Sequence, residues 1–226
     1  MKKFGLIGKN ISYSESKNIF DSYNFNDASY NIYDVDTLDK NFLKTLDGFN
    51  VTTPYKVEII KYLDEITLIA KSIGSINCVL NKGGKLIGYN TDILGFEKLI
   101  PNATKHILLL GNGGVSKMVK YFCNVNNIKL TIVGRENSNN YKDITYTKLK
   151  DYTKYDCIVN ATKFNVIPDI DYTKIRDDVY IIDLAYSLYE KTNFLKMFTS
   201  QTNVKDGYEM LKKQAYYSYK IWNLLK

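Results

Sequence analysis

Ile107-Leu108-Leu109-Leu110-Gly111-Asn112-Gly113-Gly114-Val115 decides the fold of the second half of this 226-residue chain. Four apolar residues stop at a glycine-rich turn. Val115, Met118, Val119 and Phe122 then fall at i, i+3, i+4 and i+7, one face of a helix. A strand passing through glycines into a helix N-terminus is the setting in which backbone N–H groups meet a dinucleotide pyrophosphate. Gly111 and Gly113 permit the tight turn and the close approach, while Ser116 stands where the third glycine of G-x-G-x-x-G falls. A strand-to-helix turn that binds nothing fits the same letters. Beyond it, runs at 130–133, 157–159 and 180–182 are short, β-rich and separated by connectors. Such alternation predicts a parallel sheet.

The first half has another rhythm. Strands are expected at 4–7, ending at Gly8, at 29–35, and at 49–51, where Pro54 stops the run. Helices are expected at 14–25, 55–63 and 66–73. Runs at 76–80 and 85–89 flank Asn81-Lys82-Gly83-Gly84, a hairpin signal. A short helix follows Asp92, and 207–226 reads as one long helix with Met210, Leu211, Gln214, Ser218, Ile221 and Trp222 along one side. No internal repeat or low-complexity linker interrupts the chain, so a domain boundary is expected in the helix around 95–101.

Composition excludes several classes. Hydrophobic content of 45% and charged content of 24% are those of a soluble globular protein. The formal charge of +7 comes from lysines spread among Asn, Ile and Tyr, without an Arg-rich run or an interleaved aromatic–basic patch, so nucleic-acid binding rests on charge alone. Cys78, Cys123 and Cys157 are far apart and form no C-x-x-C pair, which reads as buried thiols in a reducing compartment and no metal site. No signal peptide is visible and no apolar run nears the ~18 residues of a membrane span, so a cytoplasmic location is expected. The single histidine, His106, precludes multi-histidine zinc sites and strains a Ser-His-Asp triad; at the start of a strand it reads as structural.

Polar clusters carry the chemistry. Asn50-Val51-Thr52-Thr53-Pro54-Tyr55-Lys56 and Gly88-Tyr89-Asn90-Thr91-Asp92 both precede the glycine turn. A lysine and an aspartate in a separate upstream region suggest a substrate pocket with its own proton chemistry, though Thr91 or Asp92 is equally an N-cap for the helix that follows. Ser12, Ser14 and Ser16 lie in the loop after the first strand; alternate spacing can aim the Ser14 and Ser16 hydroxyls together at a carboxylate, and Ser16 could instead cap a helix. Past the second strand of the glycine-turn half stand Gly134-Arg135-Glu136. Arg135 suits the 2′-phosphate of NADP, whereas Glu136 would repel that phosphate or could grip the bare ribose of NAD.

Together these segments resemble the shikimate dehydrogenase family over nearly the whole chain. Gly5-Leu6-Ile7-Gly8 with Ser14-x-Ser16, Asn50-Val51-Thr52-x-Pro54-x-Lys56, Gly74-Ser75-Ile76-Asn77, Asn90-Thr91-Asp92-x-x-Gly95, Asn160-Ala161-Thr162, Asp183-x-x-Tyr186 and Gly207-x-x-Met210-Leu211-x-x-Gln214, with Tyr219 and Trp222, are similar to its motifs in the family's order. The resemblance implies reversible NADP-linked reduction of 3-dehydroshikimate to shikimate, a step of aromatic amino acid biosynthesis. By that likeness Ser14 and Ser16 hold the ring carboxylate with Tyr186 nearby. Thr52, Asn77 and Gln214 bind ring hydroxyls, and Lys56 and Asp92 are the catalytic pair. Gly111, Asn112, Gly113, Gly114, Arg135, Asn160, Thr162 and Gly207 meet the cofactor, and no metal is needed. The sequence departs from the pattern at Tyr13 and Lys17 in the serine loop, and at Lys163, Asn165 and Val166 after Thr162, in the loop that approaches the nicotinamide in the family.

The expected architecture is therefore α/β in two domains. An N-terminal substrate domain spans about 1–96, completed by the C-terminal helix 207–226. A Rossmann-type dinucleotide-binding domain spans 97–206, and the active site is expected in the interdomain cleft. Two rival readings remain: a quinate/shikimate dehydrogenase that uses NAD, and a non-catalytic shikimate-binding homologue. Monomer and homodimer both fit the sequence.

Overall fold

The computed structural model describes residues 1–199 and 201–225. Two units divide the chain: Met1–Leu94 with Leu211–Lys226, and Gly95–Met210. In chain order the elements are β1 (Lys2–Gly8), α1 (Ser16–Asp21), β2 (Ala28–Asp34), α2 (Lys40–Lys44), β3 (Gly48–Val51), β4 (Glu65–Ile66), α3 (Leu68–Ile73), β5 (Cys78–Lys82), β6 (Lys85–Tyr89) and α4 (Asp92–Leu99). Then follow β7 (His106–Leu110), α5 (Val115–Val125), β8 (Lys129–Gly134), β9 (Ile144–Thr145), β10 (Cys157–Asn160), β11 (Tyr180–Asp183), β12 (Val204–Lys205) and α6 (Tyr208–Ile221).

The first unit is built on a six-stranded mixed sheet in the order β2-β1-β3-β5-β6-β4. β1 pairs in parallel with β2 and β3, while β5 and β6 form the expected antiparallel hairpin and β5 runs antiparallel to β3. Phe49, Val51, Ile59, Val79 and Leu86 form one buried cluster against the sheet. A second, aromatic layer is organised by Trp222. Its ring stacks on Phe4 at 4.8 Å between centroids, and its Nε1 donates to the Val79 carbonyl at 2.9 Å. Gly48 has to be glycine for this contact, because a Cβ there would lie 2.5 Å from the indole nitrogen.

The second unit carries a six-stranded sheet, all parallel, in the order β12-β11-β10-β7-β8-β9. Counted from β7 outward, the chain fills one side with β8 and β9 and the other with β10, β11 and β12, the strand order of the Rossmann fold. Every residue of β7 is buried, and after His106 the strand is apolar throughout, as the centre of a parallel sheet should be. The parallel sheet expected from the alternation of short strands and connectors is what forms.

Several expected boundaries are corrected. Residues 55–63 do not form an α-helix: after the Pro54 turn, Val57, Ile59 and Ile60 are β-branched and resist α geometry, and Glu58–Tyr62 closes as a short 3-10 helix. Of the helix expected at 14–25 only Ser16–Asp21 is helical, because Asn24 takes a left-handed φ of 50° to turn the chain into β2. Ile66 pairs in parallel with Gly88 as part of β4, leaving Leu68–Ile73 helical up to the left-handed Gly74. The C-terminal helix stops at Ile221, where Asn223 turns left-handed; Lys226, the expected end, lies outside the described residues. His106 is structural, packed edge-on to Tyr155 with Nε2 3.0 Å from the Thr131 hydroxyl.

Trp222→Ala removes the stacked ring and a buried donor together, so it should destabilise the protein by about 3–5 kcal/mol, read from urea unfolding followed by circular dichroism.

Candidate active site

In the first unit, three loop ends of one sheet supply the reactive groups. β3 runs into Thr52 and the turn of Thr53-Pro54, whose peptide bond is cis. The buried Tyr55 pins that turn, donating its hydroxyl to the Val35 carbonyl at 2.8 Å. The Lys56 backbone is fixed in turn when its carbonyl accepts the Ile76 N–H at 2.8 Å. From the far end of β6 comes Asp92. Its helix is capped by Asn90, whose Oδ1 accepts the Ile93 N–H at 3.2 Å. Capping therefore falls to Asn90 and corrects the expectation that Thr91 or Asp92 serves as the cap; both are free for other work. Ser16 likewise caps nothing, since Glu15 occupies the cap position of α1 and makes no side-chain cap bond.

Lys56 Nζ donates to Asp92 Oδ2 at 2.8 Å, and Asn77 Nδ2 donates to Asp92 Oδ1 at 2.8 Å. The lysine and aspartate side chains retain 30% and 15% exposure, enough to be reached by a substrate while water around them is limited. The orientation of the Asn77 amide is not free, because its Oδ1 accepts the Thr91 N–H at 2.6 Å and so its Nδ2 must face the carboxylate. Asn77 Nδ2 also reaches Gln214 Oε1 at 3.1 Å, which brings the C-terminal helix to the site.

At the end of β1 the Ser14 hydroxyl donates to Ser16 Oγ at 3.1 Å, so the two hydroxyls expected to share a carboxylate do converge. Tyr30 is fully buried, and burial pushes its phenol well above its ordinary range. Tyr30 donates to Asn50 Oδ1 at 3.0 Å, and Asn50 Nδ2 donates to Ser218 Oγ at 2.8 Å. Tyr30, Asn50, Ser218, Thr91, Asn77, Gln214, Asp92 and Lys56 are thus joined through one hydrogen-bonded system in the first unit, while Ser14 and Ser16 bond to each other. Thr52 follows β3 directly, and its methyl closes over Gly8, where a Cβ would lie 2.6 Å away. Tyr30, Asn50 and Ser218 are members the sequence reading missed. Two of them carried a signal: Asn50 opens the polar cluster that ends at Lys56, and Ser218 lies one turn beyond Gln214 on the same helix face.

The second unit has its own cavity of about 460 Å³ at the C-terminal end of β7 and β8. Gly111, Asn112, Gly113, Arg135 and Thr162 line it, together with Tyr146 and Lys163. Gly111 has a φ of 108°, and a Cβ on it would lie 3.1 Å from the Ala161 carbonyl, so both backbone and packing demand glycine. Gly113 and Gly114 differ: a Cβ on either meets nothing within 4 Å, so no protein contact asks for glycine. Asn112 ties the turn to the loop after β8, donating to Ser138 Oγ at 2.9 Å and to the Asn140 carbonyl at 3.0 Å. Glu136 turns from the cavity to accept the Thr147 hydroxyl, and bonds from Thr145 and Thr147 hold its carboxyl below the usual range. Arg135 faces the cavity with no carboxylate within salt-bridge distance among the described residues.

Asn160 stands behind this wall, not in it. Its Nδ2 donates to Asp183 at 3.0 Å, while its Oδ1 accepts the Thr162 N–H and hydroxyl and so holds Thr162 at the edge. Gly207 packs where a Cβ would lie 2.2 Å from the Leu184 carbonyl, reason enough for glycine there. Tyr186 belongs to this second unit, its ring 5.7 Å from that of Tyr208. The cysteines are buried and free, with burial raising Cys78 and Cys123 to about 12. Among the described residues no His/Cys/Asp/Glu group could hold a metal, and no helix is long and apolar enough to cross a membrane.

A sheet of Rossmann order with a glycine turn at its switch point, and a separate sheet bearing a lysine–carboxylate pair, define the class: a two-part α/β dehydrogenase. Residues 6–79 match the model of the shikimate dehydrogenase substrate binding domain. A shikimate dehydrogenase (NADP(+)) of Clostridium beijerinckii is 32% identical, covering 98% of this chain and 92% of that protein. The solved shikimate dehydrogenase 1 of Peptoclostridium difficile is 32% identical with a TM-score of 0.80, covering 100% of this chain and 93% of that one. A shikimate dehydrogenase solved in complex with NADP+ is 28% identical with a TM-score of 0.81, covering 100% and 91%. The chain belongs to the shikimate dehydrogenase family.

The two glycines of the turn should part company on substitution. Gly111→Ala forces an L side chain into a left-handed φ against a carbonyl and should cost about 1–3 kcal/mol in thermal or urea unfolding. Gly113→Ala, with open space at its Cβ, should stay within about 0.5 kcal/mol of the parent.

Proposed function

We infer that this chain is an NADP-dependent shikimate dehydrogenase of aromatic amino acid biosynthesis, reducing 3-dehydroshikimate reversibly to shikimate. The observation that carries the chemistry is the Lys56–Asp92 pair, 2.8 Å apart, partly shielded from water and fixed by Asn77. NADPH supplies the hydride in one direction, and NADP+ accepts it in the other. Reduction of a ketone leaves negative charge on its oxygen, and a cation placed there stabilises that charge. Lys56 offers an ammonium group with three donors, one directed to Asp92 and the others available to the substrate oxygen. Its Nζ gives a proton to the forming alkoxide, which completes the alcohol; in the oxidative direction the same nitrogen takes the proton back. Asp92 orients Lys56 and balances its charge. Ser14 and Ser16 receive the ring carboxylate by two hydroxyl donors, and Thr52, Asn77 and Gln214 receive ring hydroxyls.

The cofactor reading rests on the cavity of the second unit. Glycines at 113 and 114 that no protein contact requires leave room for a pyrophosphate at the N-terminus of α5, where N–H groups favour an anion. Arg135 lines the cavity while Glu136 is bound to Thr147, and that arrangement supports NADP over NAD. The rival NAD reading needs the Glu136 carboxylate at the ribose, where its threonine bond does not leave it.

Shikimate-dependent reduction of NADP+, followed by the absorbance of the reduced nicotinamide, tests the reading directly. Turnover with NADP+ at higher kcat/KM than with NAD+ is expected. Shikimate binding without turnover would favour the non-catalytic homologue. Lys56→Ala should lower kcat by roughly 10²–10⁴-fold with a far smaller change in KM, since its proton transfer belongs to the transition state. Arg135→Ala should raise KM for NADP+ roughly tenfold or more and leave NAD+ little changed, the size of a lost charge-assisted hydrogen bond. Gly113→Ala should weaken NADP+ binding in a protein of parental stability, a combination that separates ligand space from folding.

A further inference from the structure

We propose that Ser218, from the C-terminal helix, is a positioning residue for the catalytic pair, acting through Thr91 and Asn77; this rests on the dehydrogenase reading. Ser218 is fully buried and touches none of the charged groups. Its Oγ nevertheless sits where two arms of the buried hydrogen-bond system meet. From one side it accepts Asn50 Nδ2 at 2.8 Å, and Asn50 in turn accepts the Tyr30 hydroxyl at 3.0 Å. On the other it lies 3.2 Å from Thr91 Oγ1. Its own proton goes to the Gln214 carbonyl one turn back on the helix, at 3.0 Å.

Proton counting gives the direction of the chain. A hydroxyl has one hydrogen, so with the Ser218 hydrogen on the Gln214 carbonyl, the Thr91 hydroxyl must be the donor to Ser218 Oγ. Thr91 Oγ1 is then left as an acceptor for Asn77 Nδ2, at 2.9 Å, and the other Nδ2 hydrogen is committed to Asp92 Oδ1 at 2.8 Å. Take away the Ser218 oxygen and this ordering fails. The Thr91 hydrogen is then drawn to Asn77 Oδ1 at 3.3 Å or Gln214 Oε1 at 3.5 Å, and Asn50 keeps a buried hydrogen with no acceptor. Gln214 Oε1 lies 3.1 Å from Asn77 Nδ2 and competes for one of its two hydrogens, so the disturbance arrives at the amide that holds Asp92. Ser218 thereby links the buried Tyr30–Asn50 pair of the sheet to the carboxylate that orients Lys56.

The test is a double-mutant cycle in the full-length protein. Ser218→Ala should lower kcat about tenfold while KM for shikimate moves less than about twofold, as expected for residues sharing one network. Thr91→Val, similar in shape but without the hydroxyl, should lower kcat comparably. The double variant should be no slower than the worse single variant, because both remove the same link. Ser218→Thr, which restores an oxygen, should recover part of the loss if its added methyl is accommodated, as unfolding midpoints will report. Parental kcat in Ser218→Ala overturns the positioning role, as do kcat losses that multiply in the double variant. A parent that does not turn shikimate over with NADP+ overturns the functional reading and this role with it, whereas an active parent with an indifferent Ser218 overturns the role alone.

Discussion

The first unit depends on one constraint: polar side chains beneath its reactive pair are buried, and each must find its partner inside the protein. Asn50, Asn77, Thr91, Gln214 and Ser218 are all nearly excluded from water. An unpaired donor or acceptor there costs about 1–3 kcal/mol, so one misplaced member disturbs the others. The sheet solves this by bringing β3, β5 and the end of β6 side by side, with Asn50 opposite Cys78 and Cys78 opposite Tyr89. The C-terminal helix then closes the network with Gln214 and Ser218, held by the Trp222 stack on Phe4. Packing of an aromatic layer thus sets the register of polar atoms that bear on Lys56.

The second unit solves a different problem, how to leave space. Its central strand is wholly buried, yet at its end the chain places glycines whose Cβ positions face nothing. Gly111 is fixed by its own backbone, while Gly113 and Gly114 keep room at a helix N-terminus. The surrounding polar groups are held away from that room by bonds among themselves: Asn112 to the loop after β8, Glu136 to Thr147, Asn160 to Asp183. Arg135 is the exception, a cation in the wall that makes no salt bridge among the described residues, with Asp169 as the acidic residue of the same wall. Lys163 adds a second positive charge to the same wall at the position where the sequence departs from the family pattern.

Much of this was legible in the letters. The apolar run 107–110 with its glycines, and the 3.6-residue periodicity of α5, specified a parallel sheet because only a strand covered on both faces is apolar without alternation. Motif order brought Lys56 and Asp92 to notice although 36 positions separate them. Boundaries were less legible. The segment after Pro54 looked helical by its apolar spacing, yet its β-branched residues favoured a tight 3-10 turn. The cap of α4 passed to Asn90, since a side chain that can bond either its own backbone or a distant partner is decided by which is near.

The sequence by itself determined the class of each half, the strand–glycine–helix unit and the reactive residue types, because those follow from local periodicity and from chemistry each side chain carries alone. Tertiary structure decided which way the Asn77 amide faces, that Glu136 turns to Thr147 while Arg135 faces the cavity, and that Tyr30, Asn50 and Ser218 belong to the site. These are pairings across 11 to 168 positions of chain. No local pattern encodes them; they exist only once burial forces every polar atom to choose a partner.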